Sequence, residues 1–233
     1  MIIGLRAAGF NKKTVFGLLG TCFAVVALGL WQGLPDQQVQ VTAADLYDRV
    51  FPISTGAVVL PFLFCIVRAE FTQLQRQIPL AVRFGSRLQW LAFVLKSNLL
   101  CSLFVAGTLN LAAGVILLRL GCSVQDIALP LLLCFCSQTL YFLILSMLQQ
   151  LVLFWSKKMY ASYLAAIAYS AFDFIALNTM AEPIFLGWGL SQLPWRGSFV
   201  LPVLLPAVLV VCLVAVMGVL LSLMDLLPEV RRA

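Results

Sequence analysis

The sequence predicts an all-α membrane protein with six transmembrane helices and both chain ends on the cytoplasmic side. Three observations predict it: an overall apolar composition, six apolar runs divided by short polar connectors, and Lys and Arg gathered into every second connector. Hydrophobic residues make up 63% of the 233 and charged residues 10%, with a mean hydropathy of +1.05. A soluble domain is roughly half apolar and about a quarter charged. Crossing the ~30 Å hydrocarbon core takes about 20 apolar residues in a helix. The runs are Thr14–Leu34, Phe51–Val67, Leu91–Leu118, Ile127–Phe154, Tyr160–Met180 and Phe199–Leu223. They are continuous, whereas a transmembrane barrel needs ten-residue alternating segments.

Sidedness comes from the basic residues. Of the 15, twelve share one side: Arg6, Lys12, Lys13, Arg68, Arg76, Arg83, Arg87, Lys96, Lys157, Lys158, Arg231 and Arg232. Arg49, Arg119 and Arg196 fall on the other, with Asp36, Asp45, Asp48, Asp126 and Glu182. All five Trp lie at span ends or in an outer connector, where aromatic belts sit. The net charge of +6 reflects this sidedness and is no sign of nucleic-acid binding.

In chain order, Met1–Phe10 reads as a short helix lying in the inner interface. The first span follows Lys12-Lys13; it is long for a signal peptide and no small-x-small site follows it, so it reads as an anchor. Pro35–Val50 is a polar, acidic outer connector. After the second span, Phe71, Leu74 and Ile78 recur on one helix face among Glu70, Gln73, Gln75, Arg76 and Gln77. Pro79 then interrupts that helix, and a basic stretch through Arg83 and Arg87 leads to Trp90 and Lys96. The connector is predicted to be a short amphipathic helix, a break and an interfacial segment.

The third span carries Ser102, Ala106, Asn110 and Gly114 every four residues, and the fifth carries Ser162, Ala166 and Ser170. Such stripes allow close helix approach and interhelical hydrogen bonds. Asp173 is the ionisable residue read as deep within a span; it faces protein or water, because a charge there costs ~2.5–3.5 kcal/mol on insertion scales. Asn110, Asp173 and Asn178 are candidates for a translocation path or for helix packing. Gln138 and the Gln149-Gln150 pair pose the same question. Ala181–Ser198 reads as one or two short outer helices, broken at Gly187-Trp188-Gly189 and Pro194.

The chain contains no His. That excludes HExxH zinc proteases and Ser-His catalysis. No Gly-Lys dipeptide occurs, so there is no Walker A phosphate loop. The seven Cys form no CxxC and mostly lie within spans, so neither a disulfide nor a metal site is expected. The expectation is a transport subunit that is not itself an enzyme.

The architecture resembles the ABC-2 type permeases, the membrane subunits of ATP-binding-cassette exporters. The likeness is best over Glu70, Gln77-Ile78-Pro79-Leu80, Arg83, Trp90 and Lys96, which are similar to that family's acidic residue, Leu-Pro-Leu core, basic residue and Lys at the start of the third span. Phe71-Thr72 departs from the Gly-Thr or Gly-Ser usual there. The resemblance implies that Glu70, Phe71, Leu74, Gln77, Ile78, Pro79 and Arg83 form a coupling helix seated in a groove of a separate ATPase. ATP and Mg would belong to that partner, and this chain would hold no cofactor. It also implies a second permease copy or a paralogous permease, a bacterial cell membrane, and cargo or immunity involving antimicrobial peptides or other amphipathic compounds. Two other classes fit the residues: a substrate-binding subunit of an energy-coupling importer, and a non-transport membrane assembly protein.

Overall fold

The computed structural model describes residue 20, residues 42–50, 60–65 and 68, residues 87–180, and residues 203–223. The expected interfacial segment 1–10, the first span apart from residue 20, the coupling segment 70–83 and the outer segment 181–198 lie outside the described residues. Every regular element among those described is helical: α1 (Ala43–Val50), α2 (Arg87–Arg119), α3 (Val124–Ser156), α4 (Met159–Met180) and α5 (Leu205–Leu223). Residues 60–65 and 68 are helical as well. Helices α2, α3 and α4 are each long and apolar enough to cross a membrane, and α5 is apolar but shorter.

The distribution of polarity is that of a membrane protein. Leu111, Val115, Leu132, Leu164, Phe172 and Val211 are large, apolar and exposed, while Arg68, Asn98, Gln138, Gln149 and Gln150 are buried. In water the exposed set would form an unusually large apolar surface. Against lipid it faces a solvent of its own kind, and polar groups retreat inward to find partners.

α3 is the central helix, packing on α2, α4 and α5. Of its most apolar stretch 61% is buried, against 39% for α2 and 24% for α4. Both α2 and α3 have 33 residues. At 1.5 Å per residue that is about 50 Å, so each extends past a ~30 Å hydrocarbon core. The helices start three or four residues before the expected third and fourth spans. In the sixth run, residues 203 and 204 form a π turn and the α-helix runs from Leu205, with Pro206 in its first turn, where proline is tolerated.

The turns follow from local chemistry. α2 ends in a Schellman motif: Cys122 N–H donates to Leu117 O at 3.1 Å and Gly121 N–H to Leu118 O at 3.1 Å. Gly121 holds φ +90°, which only glycine adopts without strain. Ser123 caps α3, its Oγ accepting from Asp126 N–H at 3.2 Å and donating to Asp126 Oδ2 at 2.6 Å. α3 ends at Lys157, in the left-handed region at φ 56°, whose N–H donates to Leu153 O at 2.8 Å. Two residues later α4 begins, so α3 and α4 form a tight hairpin.

Candidate functional site: two buried polar clusters

The α2–α3 pair is antiparallel, and its register sets residue 98 level with residue 149 and residue 110 level with residue 138. Each level holds a buried polar cluster. They lie about 18 Å apart along α2, at 1.5 Å for each of twelve residues.

The first cluster centres on Arg68, which is fully buried. Its Nη1 donates to Gln149 Oε1 at 2.7 Å, and its Nη2 to Gln150 Oε1 at 3.0 Å and Asn98 Oδ1 at 3.1 Å. Gln149 Nε2 in turn points at Cys65 Sγ, 2.9 Å away. A guanidinium suits this place because its planar fork offers several donors in fixed directions. Three amide oxygens, from two helices, converge on it. A buried charge left unsolvated is severely unfavourable, so this convergence is what allows Arg68 to sit inside.

The sequence reading placed Arg68 among the basic residues of the inner connector, and the structure corrects this. Arg68 is itself helical and fully buried, enclosed between α2 and α3 by its hydrogen bonds. Counting charges misses this because it assigns every Arg to the headgroups. The usable signal was the set of acceptors: Asn98, Gln149 and Gln150 are amides set within apolar helices.

The second cluster is neutral. Asn110 Nδ2 donates to Gln138 Oε1 at 2.8 Å and to Ala106 O at 2.8 Å, and Gln138 Nε2 donates to Tyr47 Oη at 2.8 Å. Tyr47 is fully buried. It belongs to α1, in a segment that the sequence reading treated as a polar outer connector. α1 is started by a reciprocal cap, with Thr42 N–H donating to Asp45 Oδ2 at 3.2 Å and Asp45 N–H to Thr42 Oγ1 at 3.3 Å. Asp45 stays exposed, while Ala43 and Tyr47, four apart, turn to the core. That i, i+4 pair was the missed signal.

Between the clusters lies an apolar layer. Phe64 and Phe142 stack there with ring centroids 4.8 Å apart. Val105, Ala106, Leu109 and Leu145 complete it, all buried. The stripes read from the sequence face inward. Ser102 and Ala106 are buried on α2, and Ser162, Ala166 and Ser170 on α4. Ser102 Oγ donates to Asn98 O at 2.9 Å, and Ser170 Oγ shares a 2.8 Å hydrogen bond with Tyr141 Oη. A Cβ on Gly114 would lie 3.3 Å from Leu131 Cδ1, so that glycine permits close α2–α3 contact.

Near the 120–123 turn, the α2–α3 surface carries an open groove of about 500 Å³, lined by Gly107, Asn110, Gly114, Leu131, Phe135 and apolar neighbours. Within that turn, burial and the Asp126 carboxylate push the Cys122 thiol above its ordinary pKa. At the opposite end Trp90 packs on Phe154, centroids 5.1 Å apart, and Lys158 Nζ lies 5.7 Å from the Tyr160 ring centroid.

Of the residues singled out from the sequence, Asn110, Gln138, Gln149 and Gln150 fall in the two clusters. Asp173 and Asn178 lie within α4, but their side chains are outside the described set, as are Glu70, Phe71, Leu74, Gln77, Ile78, Pro79 and Arg83. Fold and clusters together define a helical membrane protein with two polar clusters buried in an apolar interior. No family model, curated protein or solved structure matches the chain.

Proposed function

We propose that this chain is the membrane-spanning subunit of an exporter driven by a separate ATP-binding-cassette ATPase. In this reading it has six spans, cytoplasmic ends, and a coupling segment at 70–83. ATP and Mg act on the partner. Two permease chains, identical or related, form the route for an amphipathic compound such as an antimicrobial peptide across a bacterial cell membrane.

One observation carries the reading. Arg68 stands two residues before Glu70 and is hydrogen-bonded to α2 through Asn98 and to α3 through Gln149 and Gln150. A push on segment 70–83 would therefore reach two membrane helices through short, charge-assisted hydrogen bonds. A loop that merely rested on lipid headgroups would need no such anchor. The apolar face Phe71, Leu74 and Ile78 supplies the grip, at roughly 1.5–3 kcal/mol for each side chain fully buried.

The test is co-purification from the native host. Leu74→Asp and Ile78→Asp are expected to lose the ATPase while the chain still inserts. Retention of the ATPase by both variants would end the coupling role of this segment.

A further inference from the structure

The two clusters share a property that simple helix packing does not require. In the first, Asn98 Nδ2 is a buried donor with no acceptor among the described residues; in the second, Asn110 Oδ1 is a buried acceptor with no donor. Asn98 is 1% exposed and Asn110 8%. An unsatisfied buried polar group is unfavourable, and within a bilayer lipid offers no relief. Both atoms lie on the inward stripe of α2, and each would be satisfied by a small molecule that donates and accepts.

The aromatic layer stands between them. On α3 the order is Gln138, Phe142, Gln149, so the Phe64–Phe142 stack separates the two levels. Phe64 is one helical turn from Arg68, and Phe142 one turn from Gln138. The rings stack at 4.8 Å within a buried layer that Val105, Ala106, Leu109 and Leu145 complete.

From this arrangement we propose that α2, α3 and helical residues 60–65 and 68 enclose an interrupted path for water and small neutral or anionic solutes, closed by the Phe64–Phe142 stack. Arg68 marks one end and disfavours cations. The path lies within a single chain and does not depend on an ATPase partner.

Cys101 reports on it. It is 1% exposed and lies one turn along α2 from Asn98, beyond the aromatic layer as seen from the 120–123 turn. The full chain, with Cys101 as its single thiol, is reconstituted in phosphatidylcholine vesicles. Anionic 2-sulfonatoethyl and cationic 2-(trimethylammonium)ethyl methanethiosulfonate are added separately, only on the side of that turn. The native chain and Phe142→Leu are expected to protect Cys101. Phe142→Ala and Phe64→Ala are expected to lose that protection, with the anionic reagent labelling faster. Where an alanine variant is not recovered folded, Phe142→Val carries the same expectation. Folded small-residue variants that protect Cys101 as well as the native chain does would overturn the path. Equal labelling by both reagents would overturn the role given to Arg68.

Discussion

The two clusters are built from the same kinds of residue on the same helix pair, and they do different work. At one level Asn98, Gln149 and Gln150 turn three amide oxygens toward a guanidinium. At the other, Asn110 and Gln138 form a neutral chain that reaches a phenol. What arrives from outside the helix pair decides the energetics. A cation needs all its acceptors, because the penalty for stranding a buried charge is several kcal/mol. A neutral chain can lose a member for about the value of one hydrogen bond. An amide in a transmembrane helix is therefore informative chiefly through the group it receives.

The comparison breaks first at the charged cluster. Gln149→Leu combined with Gln150→Leu removes two of the three acceptors and should destabilise the chain by about 3–5 kcal/mol. Adding Arg68→Met to that pair should recover most of the loss, because the charge leaves with its acceptors. Thermal unfolding in detergent measures both. A double variant as stable as the native chain would mean that Arg68 is solvated by other groups.

The neutral cluster should respond far less. Tyr47→Phe keeps the ring and removes the acceptor for Gln138 Nε2, for a loss of about 1 kcal/mol, or up to ~3 if that amide stays unsatisfied. A loss equal to that of the Gln149/Gln150 pair would erase the distinction between the clusters. Gly121→Ala should cost about 1–2 kcal/mol through its left-handed backbone, with the clusters untouched. It calibrates how far a change in the connecting turn alone alters the pair.

The smallest effect is chemical. Burial and Asp126 both disfavour the Cys122 thiolate, so its folded pKa lies above the ordinary thiol value. Asp126→Asn removes the negative charge, lowers that pKa and raises the thiolate fraction at pH 8. Maleimide labelling of Cys122 at that pH should quicken modestly. An unchanged rate would leave burial as the sole cause.

Much of the architecture was legible in the chain. The apolar runs gave three of the described helices to within about four residues, because hydrocarbon thickness and continuous hydropathy leave little choice. The stripe of Ser102, Ala106 and Asn110 marked the inward face of α2 through its period alone. The charged cluster was harder to see. Arg68 looks like any basic residue at a span end until Asn98, Gln149 and Gln150 are set beside it, 30 to 82 positions away in sequence. Tyr47 was hidden for a related reason: Asp45 and Asp48 colour its segment polar, while its apolar face is only two residues wide. Long-range partners, unlike periodicity, leave no local trace.

The central claim is that Arg68 ties the start of segment 70–83 to α2 and α3. Hydrogen–deuterium exchange across α2 and α3, measured on the chain co-purified with the proposed ATPase, with and without ATP, tests it most directly. The native chain should show an ATP-dependent change in both helices, and Arg68→Met should keep the ATPase yet lose that change. An Arg68→Met chain that retains the partner and responds to ATP as the native chain does would contradict the account.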